Sequence, residues 1–197
     1  MVGLSVEHGC IGENGSVGFP YTFPTPTMAG WCTPRFPRRD QYVRTPQVFD
    51  RIACQVRDPL LVVNSGMDMP FDFTGGDAAT HTCESFNVTE DEFRAMPRPY
   101  MLLAWWHAYT QRALVISNHS AFRFPKDDYS VLFGYLGVQC DATCMKRVRA
   151  KTSRPLNRHA KKKRGYTWNG LLGNARSPLQ ARVVDRAHML ASALSIN

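Results

Sequence analysis

The chain has 197 residues, a formal net charge of +8 and a hydrophobic fraction of 44%. That length holds one or two small domains, and that apolar fraction excludes wholesale disorder. The charge is unevenly split: residues 146–186 hold 13 of the 24 Lys and Arg, Asp185 is their single acid, and the remaining residues sum to −4. A basic segment against an acidic body points to a polyanionic partner, with a solvated charged face as the plain alternative.

Residues 1–46 carry 12 of the 27 Gly and Pro. The run Gly18-Phe-Pro-Tyr-Thr-Phe-Pro-Thr-Pro-Thr sets aromatics between prolines. Proline fixes φ and removes a donor, so an extended arm is expected here. Phe19, Tyr21, Phe23, Trp31 and Phe36 give it adhesive contacts, either along a partner or back onto its own domain. The first Lys or Arg is Arg35, so neither a secretory signal nor an Arg-rich transit peptide is visible.

Residues 47–144 read as a small globular body. Leu60-Leu-Val-Val-Asn is a short apolar run, expected as a strand. Asp58 to Phe93 holds eight acids and no Lys or Arg. Thr89 and Glu92 fit a capping box, predicting a short helix that stops before Pro97. Pro99 suits the first turn of a second helix running to about Ile116. Its Met101, Leu102, Trp105, Ala108 and Tyr109 share a face, with Trp106 and His107 toward the other side. More than one face should therefore be covered. The uncharged part, Pro99 to Gln111, falls short of the about 20 apolar residues a membrane span needs, so a buried helix is expected. Val131-Leu-Phe-Gly-Tyr-Leu-Gly-Val is rich in strand formers and is expected as a strand.

Asp141 is placed to cap a helix that enters the basic stretch. Residues 145–176 form a basic extension. Lys146, Arg147, Arg149, Lys151, Arg154, Arg158, Lys161, Lys162, Lys163 and Arg164 suit phosphate, because Lys and Arg displace condensed counterions and Arg offers a bidentate fork. Tyr166 and Trp168 follow and are candidates for stacking on unpaired bases. An acidic protein surface and anionic lipid are the competing partners. Residues 177–197 should form an amphipathic helix: Ser177 as N-cap, Pro178 at the first position, Gln180 at the third. Leu179, Val183, Ala187, Leu190 and Leu194 would line its apolar stripe, with Arg182 and Arg186 off it.

Six cysteines stand at 10, 32, 54, 83, 140 and 144. Reduced, mostly buried thiols are expected, since the chain is long and shows no signal. Cys140 and Cys144, one helical turn apart, and the mixed pairs His8 with Cys10 and His81 with Cys83 are the pairs that zinc could use, but the close Cys-x₂-Cys spacing is absent. No metal and no cofactor is expected. Leu114-Val-Ile-Ser-Asn-His119 has the apolar run and Asn-His of glycerolipid acyltransferases, but Phe124 stands where that chemistry requires an acid. No nucleophile elbow, phosphate loop or dinucleotide fingerprint is present, and catalysis is not expected.

The expected architecture is α+β, small and irregular. It has a helix-dominated body, a long extended N-terminal arm and a basic C-terminal extension ending in an amphipathic helix. In style this is similar to ribosomal proteins, particularly organellar ones, which pair a globular body with basic extensions. The expected role is a non-catalytic component of a large assembly, threading a basic tail along RNA, ribosomal RNA foremost, among neighbouring subunits. The other reading is an accessory subunit of a respiratory or other multiprotein complex, the tail meeting acidic subunits or anionic lipid. The expected location is intracellular, with the mitochondrion as the organelle considered.

Overall fold

The computed structural model describes residues 53–67, 76–118, 120–124, 127–152 and 165–196, with short strands before them. Those early strands are β1 (Glu7–His8), β2 (Ile11–Gly12), β3 (Gly15–Val17), β4 (Thr27–Met28) and β5 (Gln47–Val48). β3 pairs in parallel with β1 and antiparallel with β2, and β4 pairs antiparallel with β5. The Pro and aromatic run at 18–26 lies outside the described residues.

The body is dominated by helices, with one two-stranded parallel sheet. β6 (Cys54–Arg57) pairs with β7 (Ala121–Phe124), in the register Cys54 to Ala121 and Arg57 to Phe124. Along β6, Cys54 and Val56 are buried while Gln55 and Arg57 face out, the two-residue alternation of a half-covered strand.

Leu60 to Asn64 is not a strand. It lies within α1 (Pro59–Gly66). Asp58 caps this helix, its carboxylate accepting from the N–H of Leu60 at 2.8 Å, and Pro59 begins the first turn. These local devices override the strand preference of Leu-Leu-Val-Val. Val131 to Val138 is likewise not a strand. Most of it belongs to α5 (Tyr129–Leu136), capped by Asp128 and ended by Gly137 at φ 71°. That left-handed terminus suits glycine.

Between these elements stand α2 (Gly76–Phe86), α3 (Glu90–Arg94) and α4 (Arg98–Ile116). The capping box at Thr89 and Glu92 forms as expected, with Thr89 N–H donating to Glu92 at 2.8 Å and Glu92 N–H to Thr89 at 3.2 Å. α4 is the centre of the body. Every residue from Leu102 to Ala108 is buried, so this helix is covered on all sides. Burying each of its large side chains is worth about 2 kcal/mol. Trp106 keeps its indole N–H satisfied by donating to the Arg57 carbonyl at 3.1 Å, tying α4 to the end of β6. Among the described residues, no helix is long and apolar enough to cross a membrane.

α6 (Ala142–Thr152), α7 (Trp168–Gly173) and α8 (Pro178–Ala193) complete the chain. α8 starts as expected, with Gln180 N–H donating to Ser177 Oγ at 3.2 Å. Its buried stripe differs from the expected one: Gln180, Val183, Val184, Ala187 and Ala191 are buried, and Leu179, Leu190 and Leu194 flank them half-buried. Small residues let α8 approach the bulky α4 closely, so Ala and Val take the centre and leucines the margins. The buried Gln180 amide oxygen accepts from Arg176 N–H at 2.7 Å.

Candidate nucleic-acid interface

The basic extension begins inside α6. Asp141 caps it, its carboxylate accepting from Cys144 N–H at 2.7 Å. Lys146, Arg147 and Arg149 are exposed on this helix, and no described residue of α6 is buried. Lys151 lies in the last turn, with its side chain outside the described residues. Arg154, Arg158, Lys161, Lys162, Lys163 and Arg164 also lie outside them.

One of the exposed cations already has a partner. Arg149 pairs with Asp128 at 2.6 Å, joining α6 to the start of α5. Asp128 also accepts from Ser130 N–H at 2.8 Å. Its carboxyl is pulled down to about 2, first by the Ser130 hydrogen bonds and then by Arg149. Asp127 is held by Arg123, whose guanidinium Nε donates to it at 2.8 Å and draws its carboxyl below the usual range. The acid pair thus builds structure on both sides of the turn after β7.

Tyr166 and Trp168 stand at the entry to α7. Both are half-buried and packed against the hydrophobic core. The Trp168 ring lies on His188, with ring centres 4.7 Å apart. What these aromatics do in this structure is anchor the chain where it returns to the body, ahead of α7. A burial pattern of this kind was not readable from their position after the lysines.

The zinc pairs do not assemble. Cys140 and Cys144 are joined as a disulfide, which also corrects the expectation of reduced thiols at these two positions. His81 Nδ1 lies 3.0 Å from Glu84 Oε2, and Cys83 is buried with its thiol pushed up, chiefly by burial. Among the described residues, no three His, Cys, Asp or Glu gather around a common point. Cys10 and Cys32 lie outside the described residues, as does His119.

Two features escaped the sequence reading. Arg182 and Arg186, counted with the basic quarter, donate to the main-chain carbonyls of Phe86 and Ser85. They belong to the packing of the body. The second is α5, an apolar helix with no buried residue, on which Val131 is 65% exposed.

With those two arginines removed from the interface, the charge concentrates. Lys146 to Arg164 carries ten Lys and Arg and no acid, while the rest of the chain sums to −2. No protein-family model, curated protein or solved structure matches the chain.

Proposed function

We propose that this chain is a non-catalytic component of a large ribonucleoprotein, such as a ribosome of the organellar kind, that grips RNA with residues 146–164. The observation that carries this reading is the exposure of Lys146, Arg147 and Arg149 on a helix that leads directly into the acid-free run. Phosphate neutralisation by such a run releases counterions and makes binding strongly salt-dependent. The body's role is to hold both ends of the run: α6 at one end, and the packed Tyr166 and Trp168 at the other. Tyr166 and Trp168, half-buried against the core, serve in this reading first as the anchor of the run.

The experiment is a filter-binding salt titration on single-stranded RNA. Replacing Lys161, Lys162, Lys163 and Arg164 by Gln lowers affinity and reduces the slope of log K against log salt by about three. An unchanged affinity and slope rejects the reading. The second reading, an accessory subunit of a multiprotein complex, is favoured by α5, whose apolar residues are half-buried or exposed among the described residues, Val131 at 65%. It predicts a purified complex whose integrity resists nuclease and whose absorbance ratio shows no RNA.

A further inference from the structure

We propose that the Cys140–Cys144 disulfide is a reversible exchange site for low-molecular-weight thiols, and that its reduction loosens α6. Both cysteines are only half-buried, so a small thiol can reach them. The other two described cysteines differ. Cys54 and Cys83 are buried, and burial pushes the Cys54 thiol up to about 12, which leaves little of the reactive thiolate.

The position of the bridge gives it structural weight. Cys140 precedes the Asp141 cap and Cys144 is the third residue of α6. The bond therefore staples the first turn covalently. α6 has 11 residues, below the length at which isolated helices hold in water. It buries none of its described side chains, and Lys146, Arg147 and Arg149 crowd like charge onto it. Asp141, the Arg149–Asp128 pair and the disulfide are among the contacts that hold it, and two of the three lie at its first turn.

Exchange proceeds in two displacements. An incoming thiolate attacks Cys140 Sγ, forming a mixed disulfide and releasing the Cys144 thiolate into the first helical turn, where the backbone N–H groups favour negative charge. A second thiolate attacks the outer sulfur of the mixed disulfide, releasing Cys140 and an oxidised thiol dimer. The two protein thiolates take up the protons that the two incoming thiols lost. The protein disulfide gains two electrons and the small thiols lose them.

Loosening α6 lowers the order of the segment that enters the acid-free run. That consequence for RNA rests on the function proposed above; the exchange chemistry does not. The full chain is equilibrated in glutathione buffers of graded reducing strength, quenched, alkylated and mapped by peptide mass. Cys140 and Cys144 are expected to become alkylated together, and the reduced protein to lose far-UV helical signal. Cys140→Ser and Cys144→Ser each acquire one glutathione in the oxidised buffer, and the double variant shows no redox response in its helical signal. A bridge that never closes, or one that stays closed in fully reduced glutathione, overturns the exchange site. Exchange without loss of helical signal overturns the coupling to α6. Reduced wild type is also expected to bind RNA several-fold more weakly than oxidised. Absence of RNA binding in both states counts against the proposed function alone, since mapping and helical signal still decide the redox site.

Discussion

The guanidinium of Arg182 donates to the main-chain carbonyl of Phe86 at 2.8 Å, joining residues 96 positions apart. One turn later, Arg186 donates to the Ser85 carbonyl at 2.8 Å and lies 5.0 Å from the centre of the Phe86 ring. The last carbonyls of a helix lack partners of their own, and α2 has no basic residue in its last turn. α8 supplies the missing donors. Arg186→Ala should lower unfolding free energy by about 2 kcal/mol, through a charged hydrogen bond and a cation–π contact, and Arg182→Ala by about 1 kcal/mol. Urea denaturation midpoints measure both. RNA affinity and its salt slope should stay at the wild-type level in the folded variants, separating these cations from the run at 146–164.

What the sequence made legible was short-range. The caps at Thr89, Asp141 and Ser177 and the start of α4 involve partners within four positions, and each formed where expected. At α1 and α5 the apolar composition points to strands, while the flanking caps dictate helices. Asp58-Pro59 and Asp128, with Gly137 behind it, were present in the sequence and outweigh strand preference once the N–H groups of the first turn need acceptors. The β6–β7 pairing, the two arginine ties and the packing of Trp168 on His188 depend on residues well separated in the chain, which periodicity within one window cannot relate. In the candidate interface the density of charge was legible. Which cations are already committed was not.

Gly66 ends α1 where it crosses α4. A Cβ added there would stand 2.6 Å from Leu102 Cδ2 and 3.0 Å from Cδ1. Leu102 is 1% exposed, so its methyls have no room to retreat. Alanine would gain up to about 1 kcal/mol of helix propensity. Overpacking a dense core costs about 1–3 kcal/mol, which outweighs that gain. Gly66→Ala is therefore expected to destabilise, seen as a lower thermal midpoint. The companion change Gly66→Ala with Leu102→Ala should recover part of the loss attributable to the clash, in a double-mutant cycle.

Tyr100 is 4% exposed, and its hydroxyl donates to the Leu171 carbonyl at 2.9 Å, fastening α7 to α4. Tyr100→Phe keeps the ring and leaves that carbonyl without its donor, at a cost of about 1–2 kcal/mol. Because α7 follows the point where the basic run rejoins the body, amide hydrogen exchange should rise first in residues 166–174. Uniform protection loss across the chain would instead mean that α7 opens only with the whole body.

His107 lies in the middle of α4 and is 2% exposed. Its ring centre is 5.1 Å from that of Phe86, and Nδ1 has no hydrogen-bond partner among the described residues. Burial, and then the charge of Arg186, lower its pKa to about 4. The neutral ring is the one the fold accepts. An unfolded histidine titrates near 6.5. Between these values the unfolded chain binds a proton that the folded chain refuses, so stability falls as pH drops from about 6.5 towards about 4. Above that window this group adds no pH dependence. The full loss is about 3 kcal/mol. The lowered carboxyls of Glu92, Asp127 and Asp128 add their losses at the acid end of this window and below it, so the histidine's contribution is read above about pH 5. Urea midpoints measured from neutral to mildly acidic pH should slope in the wild type. His107→Leu removes the proton site while still filling the space beside Phe86, and should flatten that slope. Equal slopes in the two proteins would move the acid sensitivity to other groups and leave His107 as packing alone.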